Sequence, residues 1–387
     1  MRILQVHAPY RIPGGEDTVV QNEARLLRAS GHELWQFFEP NPTSLASTLA
    51  STLAAPWNPL SARELRQRLR AERPDVAHVH NTWFRLSPSI IPVLADAGVP
   101  IVQTLHNYRR FCLEGTMYRD GHACSDCLGR SPLPGVRHAC YRSAPLSVVA
   151  AATQVVQRTR HTDDLIDLFV APSEFMRSIV VRAGLPAGRT LVKPHFAFDP
   201  GPRPLPPSRS DTVLVVGRIA AGKGVDLLLE AWRSLPRDSG RTLEVIGSGP
   251  MAQELSATAP DGVRFLSLTH DEVTRRMLQA RALVFPSLLN ETFGMVVVEA
   301  MAAGLPVAGF DVAANREILG PDAGELLGPA ADTAALAGLL GRLGDDDLVD
   351  RVGAENRESY LQRFSPRVQL PQLEQVYRDT IGRHGVR

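Results

Sequence analysis

TVLVVGRIAAGKGVDLLLEA, residues 212–231, decides how the rest of the chain reads. Thr212–Val216 form an apolar run of the length of a strand buried on both faces; a glycine-rich loop follows, and a helix is predicted from Gly224. Strand, loop and helix in that order open a βα unit. The alternation continues downstream, where TLEVIG (242–247), VRFLS (263–267), ALVFPS (282–287) and PVAGF (306–310) are separated by helices starting near Met251, Asp271 and Gly294. Upstream stands DPGPRPLPPSRSD (199–211), whose five prolines bar both helix and central strand and predict a linker. Before it the same alternation is found again. ILQVH (3–7) runs through a loop ending at Gly14-Gly15 into a helix with Val20, Ala24 and Leu27 on one face. ELWQFF, DVAHVH, PIVQTLH and LIDLFVAPS continue as strands, with helices predicted at 61–72, 88–97, 145–159 and 173–183.

This pattern predicts an α/β chain of two Rossmann-like, doubly wound domains facing each other across a cleft. The expected division is an N-terminal domain over 1–198 with a Cys-rich insertion at 108–142, the linker, a second domain over 212–365, and a C-terminal helix over 366–387 packing back on the first domain. Such sheets place ligands at the carboxyl ends of their strands, so the active site is expected between the domains. The length of 387 residues agrees with two domains. The formal net charge of +1 gives no global field of the kind nucleic-acid binding needs, and no apolar run is long enough to span a bilayer. The opening residues, MRILQVHAPY, read as a strand and not as an export signal, so a cytoplasmic location is expected.

The chemistry gathers at a few residues. Lysine occurs only at Lys193 and Lys223, so of 42 basic residues 40 are Arg, and a Lys inside a glycine loop stands out. Arg218 and Lys223 in that loop can meet the two phosphates of a diphosphate, since glycines let the backbone approach. NETFGMVVVEAMAAGLPV (290–307) places Glu291 and Glu299 eight residues apart, an E-x(7)-E spacing with Phe293-Gly294 between them. With a helix beginning near Gly294, one carboxylate lies before the helix N-terminus and the other in its second turn. That layout suits a ligand with polyol, diphosphate and polyol in sequence. Gly14-Gly15 opens the first helix, and His106 ends a strand on the cleft side.

These stretches resemble family 4 retaining glycosyltransferases of the B-type, two-Rossmann-domain architecture (GT-B). The resemblance covers nearly the whole chain: GG before a helix ending in GHEL, VAPSEFM, GRIAAGKGVDLLLEA, VIGSGP, VFPS and ETFGMVVVEAMAAGLPV stand in the family's order. It implies a nucleoside-diphosphate sugar donor, with Arg218 and Lys223 on the diphosphate. Glu291 and the backbone of Phe293, Gly294, Met295 and Val296 would hold the sugar, and Glu299 the ribose. His106 would contact the sugar near the reacting carbon, and Gly15 would pack against the diphosphate. Fixed charge from Arg218 and Lys223 implies no catalytic metal. Asn290-Glu291-Thr292 and KPHFAFDP (193–200) depart from the family's usual Glu-Gly pair and Asn-Gly-Val-Asp, and they bear on sugar identity.

Rival readings are a nucleotide-sugar epimerase on the same fold and a non-catalytic, zinc-stapled binding protein. VIGSGPMA (245–252) also matches a dinucleotide fingerprint, but the next strand ends in Ser267 where an acidic residue is needed for the ribose. The four cysteines, Cys112, Cys124, Cys127 and Cys140, form one cluster with a C-x(2)-C knuckle. In a chain without an export signal they favour a structural Zn²⁺ over disulfides, with His122 and His138 close enough to replace a ligand and free thiols as the alternative. About 28 residues free of regular structure are expected there. Arg109, Arg110, Arg119, Arg130, Arg137 and Arg142 outnumber Glu114, Asp120 and Asp126 around the cluster, which suggests an anionic or lipid-linked acceptor and peripheral membrane contact.

Overall fold

The computed structural model describes residues 1–10, 14–39, 45–236, 240–320 and 325–384. It divides into two compact units: Met1–Arg119, Cys124–Pro194 and Leu370–Arg387 form the first, Asp120–Ala123 and His195–Gln369 the second. In chain order the strands are β1 (Arg2–His7), β2 (Glu33–Phe38), β3 (Val76–Val79), β4 (Ile101–Thr104), β5 (Tyr118–Arg119), β6 (His122–Ala123), β7 (Leu168–Ala171), β8 (Thr190–Val192), β9 (Thr212–Val216), β10 (Thr242–Ile246), β11 (Val263–Leu266), β12 (Ala282–Phe285), β13 (Val307–Phe310) and β14 (Leu327–Gly328).

The first unit holds a six-stranded sheet in the order β2-β1-β3-β4-β7-β8, the second one in the order β11-β10-β9-β12-β13-β14. Every pairing in both is parallel, for example Ile3 opposite both Leu34 and Val76. Strands β3, β4 and β7 are buried throughout, as expected of a parallel sheet covered on both faces. The strand order reverses between β1 and β3 in one sheet and between β9 and β12 in the other, and such reversals open a crevice at the strand ends.

Each central strand of the first sheet changes character along one face. Ile3, Val76 and Val102 lie with Leu373, Val376 and Tyr377 of the C-terminal helix Pro366–His384 in one apolar cluster. Two residues further along the same faces stand Gln5, His78 and Thr104, and two beyond those His7, His80 and His106. The apolar end anchors the sheet and the polar end is left for chemistry.

The proline-rich segment differs from the linker expected at 199–211. The boundary falls at Pro194/His195, and the segment is strapped to the second unit. Arg203 donates to the carbonyls of Ala280, Ala303 and Gly304, Arg281 donates to those of Ser208 and Ser210, and Asp350 accepts from Ser208. Proline removes donors but leaves carbonyls, and arginines take them up. The Cys-rich insertion is also more ordered than expected: it contains β5, β6 and a short helix, Leu133–Arg137. Among the described residues no helix is long and apolar enough to cross a membrane.

In the second unit, backbones approach closely where the strands end. A Cβ on Gly247 would stand 1.9 Å from the Gly217 oxygen, and one on Gly249 2.1 Å from the Ile219 oxygen. Gly247 also has φ near +150°. Gly247→Ala is therefore expected to cost about 2–4 kcal/mol, the sum of backbone strain and overpacking. Gly338→Ala, inside helix Thr333–Arg342 with nothing within 4 Å of the new methyl, should gain about 0.5–1 kcal/mol. Urea unfolding midpoints check both signs.

Candidate functional site

In the second unit the loops after β9 and β12 flank the point where strand order reverses. Gly224, at φ +70°, lies so close to this second loop that a Cβ would stand 1.9 Å from the Pro286 oxygen, and Leu288 N–H donates to the Gly222 carbonyl at 2.8 Å. This contact brings two of the expected residues together: Lys223 Nζ donates to Glu291 Oε1 at 2.5 Å, and Ser287 Oγ donates to the same oxygen at 2.8 Å. Both members of the pair are half-buried. Arg218 is exposed on the loop after β9, and among the described residues it has no hydrogen-bond or ion-pair partner. Phe293 is buried, packed edge-on against His195 and Phe364.

Gly294, left-handed at φ +88°, caps helix Met295–Ala302. Met295 and Val296 occupy its first turn, where N–H groups have no intrahelical acceptor. Glu299 lies in the second turn, half-buried, and burial pushes its carboxyl up to about 7. Lys223, Glu291, Gly294 and Glu299 thus stand on the two elements that leave β9 and β12, as the spacing predicts.

In the first unit, Gly15 is exposed at the N-terminus of helix Gly15–Ala29. Behind it the chain is tied down: Asp17 accepts from the backbone N–H of Gly14 at 2.8 Å and of Tyr10 at 3.1 Å, and its carboxylate pairs with His7 Nε2 at 3.1 Å. Glu16 accepts from Tyr10 Oη at 3.1 Å and from Asn107 Nδ2 at 3.2 Å. Burial pushes the Glu16 carboxyl up to about 7, against the pull of His7.

His106 is held by His80, with Nδ1 of His80 3.0 Å from Nε2 of His106. Gln5 faces the His80 ring from the other side. Its amide is oriented by donation to Val20 O and acceptance from Gln36, so its NH₂ faces His80 Nε2 at 3.4 Å. His80 Nε2 also stands 3.6 Å from Glu23 Oε2, so this nitrogen lies between an amide and a buried carboxylate. Beneath this pair Glu23 and Lys193 form a buried ion pair at 3.7 Å. Desolvation works against both charges, raising the Glu23 carboxyl and lowering the Lys193 ammonium. His78 is bonded to Tyr377 at 2.8 Å and Thr104 at 2.6 Å, and burial together with Lys193 drives it down to about 3. A cavity beside the histidines is lined by Glu16, His80, Asn81, His106, Asn107 and Arg109.

Sequence reasoning passed over Glu16, Glu23, His80, Asn107 and Lys193. The available signal was the period-two spacing of His78 and His80, which puts both on one face of β3 and its continuation. Two of the expected cations are otherwise engaged: Arg109 lies over the rings of Trp83 and Tyr141, and Arg110 pairs with Asp163.

Residues 13–196 match the sequence profile of "Glycosyltransferase Family 4", and residues 210–346 that of "Glycosyl transferases group 1". A D-inositol 3-phosphate glycosyltransferase of Xylanimonas cellulosilytica is 32% identical over 309 residues, 72% of this chain and 67% of that one. A 2-deoxystreptamine N-acetyl-D-glucosaminyltransferase of Streptomyces fradiae is 28% identical over 334 residues, 76% of this chain and 72% of that one. The crystal structure of Anabaena HepE in complex with UDP and glucose superposes with a TM-score of 0.67 at 17% identity, covering 97% of this chain and 99% of that chain.

The buried ion pair gives a test of the first unit. Lys193→Met leaves Glu23 without its cation and should cost roughly 3 kcal/mol, as for other broken buried pairs. Glu23 alone would hold its proton in the native state and lose it in the unfolded state, so the native state binds more protons and the deficit should grow as pH rises above the ordinary Glu range. In Lys193→Met/Glu23→Gln that growth should vanish. Denaturant unfolding of both variants from pH 5 to 8 measures it.

Proposed function

Because the chain belongs to glycosyltransferase family 4, we propose that it moves a hexose from a nucleoside-diphosphate sugar to an acceptor hydroxyl with retention of anomeric configuration. The observation that carries this reading is the contact between Lys223 and Glu291. It sets a cation for phosphate and a carboxylate for sugar hydroxyls side by side on two loops that meet at the switch point. The binding of UDP and glucose by HepE supports the donor class.

Departure of the diphosphate leaves negative charge on its oxygens while the sugar becomes oxocarbenium-like. Lys223 and Arg218 stabilise the departing oxygens by fixed charge, with no catalytic metal. Glu291 holds the sugar hydroxyls together with the first-turn N–H groups of Met295 and Val296, and Glu299 accepts from the ribose. The C–O bond to the diphosphate breaks, the acceptor oxygen bonds to the same face, and the acceptor's proton passes to a phosphate oxygen. His106, oriented through His80, serves the sugar near the reacting carbon, and Gly15 leaves room for phosphate at a helix N-terminus. The acceptor occupies the cavity of the first unit. Leu133 and Arg137 on helix Leu133–Arg137 and Val148 on the adjacent helix Ala144–Thr159 are exposed, as are Arg130 and Arg142 in the loops beside them. That surface supports an anionic, lipid-linked acceptor met at a membrane face.

Arg218→Ala and Lys223→Ala should each lower kcat/KM by about 30-fold to 1000-fold, equivalent to roughly 2–4 kcal/mol of transition-state stabilisation. With UDP-glucose as the first donor tried, activity should be the same with and without added Mg²⁺ or Mn²⁺. An absolute need for either ion would overturn the fixed-charge mechanism.

Glu299 supplies a pH signature. Its carboxyl lies near 7 in the free protein and must be ionised to accept from two ribose hydroxyls. Nucleoside diphosphate binding should therefore release a proton between pH 6 and 7 and tighten as pH rises. Calorimetry of Glu299→Gln in two buffers of different ionisation enthalpy should show weaker binding and no release from this site. Glu291→Ala should impair transfer while leaving nucleoside diphosphate affinity intact.

A further inference from the structure

All four cysteines face one small cavity in the insertion of the first unit. They form no disulfide, and each is half-buried. Cys124 and Cys127 sit on a tight turn, with Cys124 N–H donating to Met117 O, Leu128 N–H to Ser125 O and Arg130 N–H to Cys127 O. Arg119 and Asp126, which line the same cavity, pair at 3.2 Å.

We propose that Cys112, Cys124, Cys127 and Cys140 bind one structural Zn²⁺ ion that staples the loops of residues 108–142 together. Four thiols lose their protons to solvent as four Zn–S bonds form. Bonds of roughly 2.3 Å in a tetrahedron place the sulfurs about 3.8 Å apart. The grouping of three or more ligand atoms within 4.8 Å found among the described residues is instead Glu23, His78 and His80, so the sulfurs must draw together on binding. The glutamate and histidine grouping is a poor rival: Lys193 already sits 3.7 Å from Glu23, and both nitrogens of His78 are bonded to hydroxyls. Four thiolates close the zinc coordination sphere, so the ion has no open position for substrate. Its effect is on place: the segment begins beside His106 and carries Arg109, which lines the cavity of the first unit.

The test uses the full chain produced in zinc-replete medium. Elemental analysis should find about one zinc per chain, and a thiol reagent should leave all four cysteines unmodified until denaturant and chelator are added together. Cys124→Ser and Cys140→Ser should each lose most of the metal. Should either variant fail to fold, exchange of wild-type protein with Co²⁺ gives the same information, as four thiolate ligands produce intense sulfur-to-cobalt charge transfer. Prolonged stripping should speed proteolysis within residues 108–142 about tenfold or more, and zinc should reverse it. Zinc-free protein with freely reacting thiols, bound iron in place of zinc, full zinc retention in the serine variants, or a cobalt spectrum without charge transfer would each overturn the assignment.

Discussion

The close approach of two backbones at Gly224 and Pro286 is the contact on which the candidate donor site depends. A methyl group at residue 224 would overlap the Pro286 carbonyl, so only glycine lets the loop after β9 lie against the loop after β12. With the loops that close, Lys223 reaches Glu291 and Ser287 fixes the same carboxylate from below. Gly247 and Gly249 repeat the device one strand over, lying against the carbonyls of Gly217 and Ile219 where the loops after β9 and β10 meet backbone to backbone. Missing side chains thus make the site: they let charge and hydrogen-bonding groups from separate βα units gather at the strand ends, where a parallel sheet offers ligands a crevice.

The first unit reaches a similar end by another route. Its strands run apolar to polar along one face, so the C-terminal helix seals one end while Gln5, His78, His80, Thr104 and His106 crowd the other. Polar groups at that density are tolerated because nearly every one is paired, and the Glu23–Lys193 pair lies beneath them as a fixed internal charge. The result is a histidine, His106, whose ring is held in place by His80 and by the neighbours that hold His80.

Much of this was legible in the sequence, because parallel strands buried on both faces announce themselves as apolar runs and glycine loops punctuate them. The central strands and the helices between them lie within a few residues of their expected places. The edge strands β8 and β14 were not legible: Thr190–Val192 and Leu327–Gly328 are too short for periodicity and exist because a neighbouring strand offers an open edge. The linker was misplaced because proline content reports what a segment cannot do, and arginine contacts that tie it down come from residues 70 or more positions away. At the site, Lys223, Glu291, Gly294 and Glu299 were marked by local spacing, whereas Glu16, Glu23 and Lys193 acquire meaning only through partners distant in sequence. A buried ion pair leaves no local signature.

The central claim is that the loops after β9 and β12 form a diphosphate cradle built on Lys223. Affinity for a nucleoside diphosphate against the matching monophosphate tests it most directly. Calorimetry on wild-type protein should show the diphosphate binding at least about tenfold more tightly, a difference of roughly 1.4 kcal/mol for the second phosphate, and Lys223→Ala should cut that difference sharply, leaving only what Arg218 supplies. Equal affinity for the two nucleotides in wild type, or an unchanged ratio in Lys223→Ala, would contradict the account.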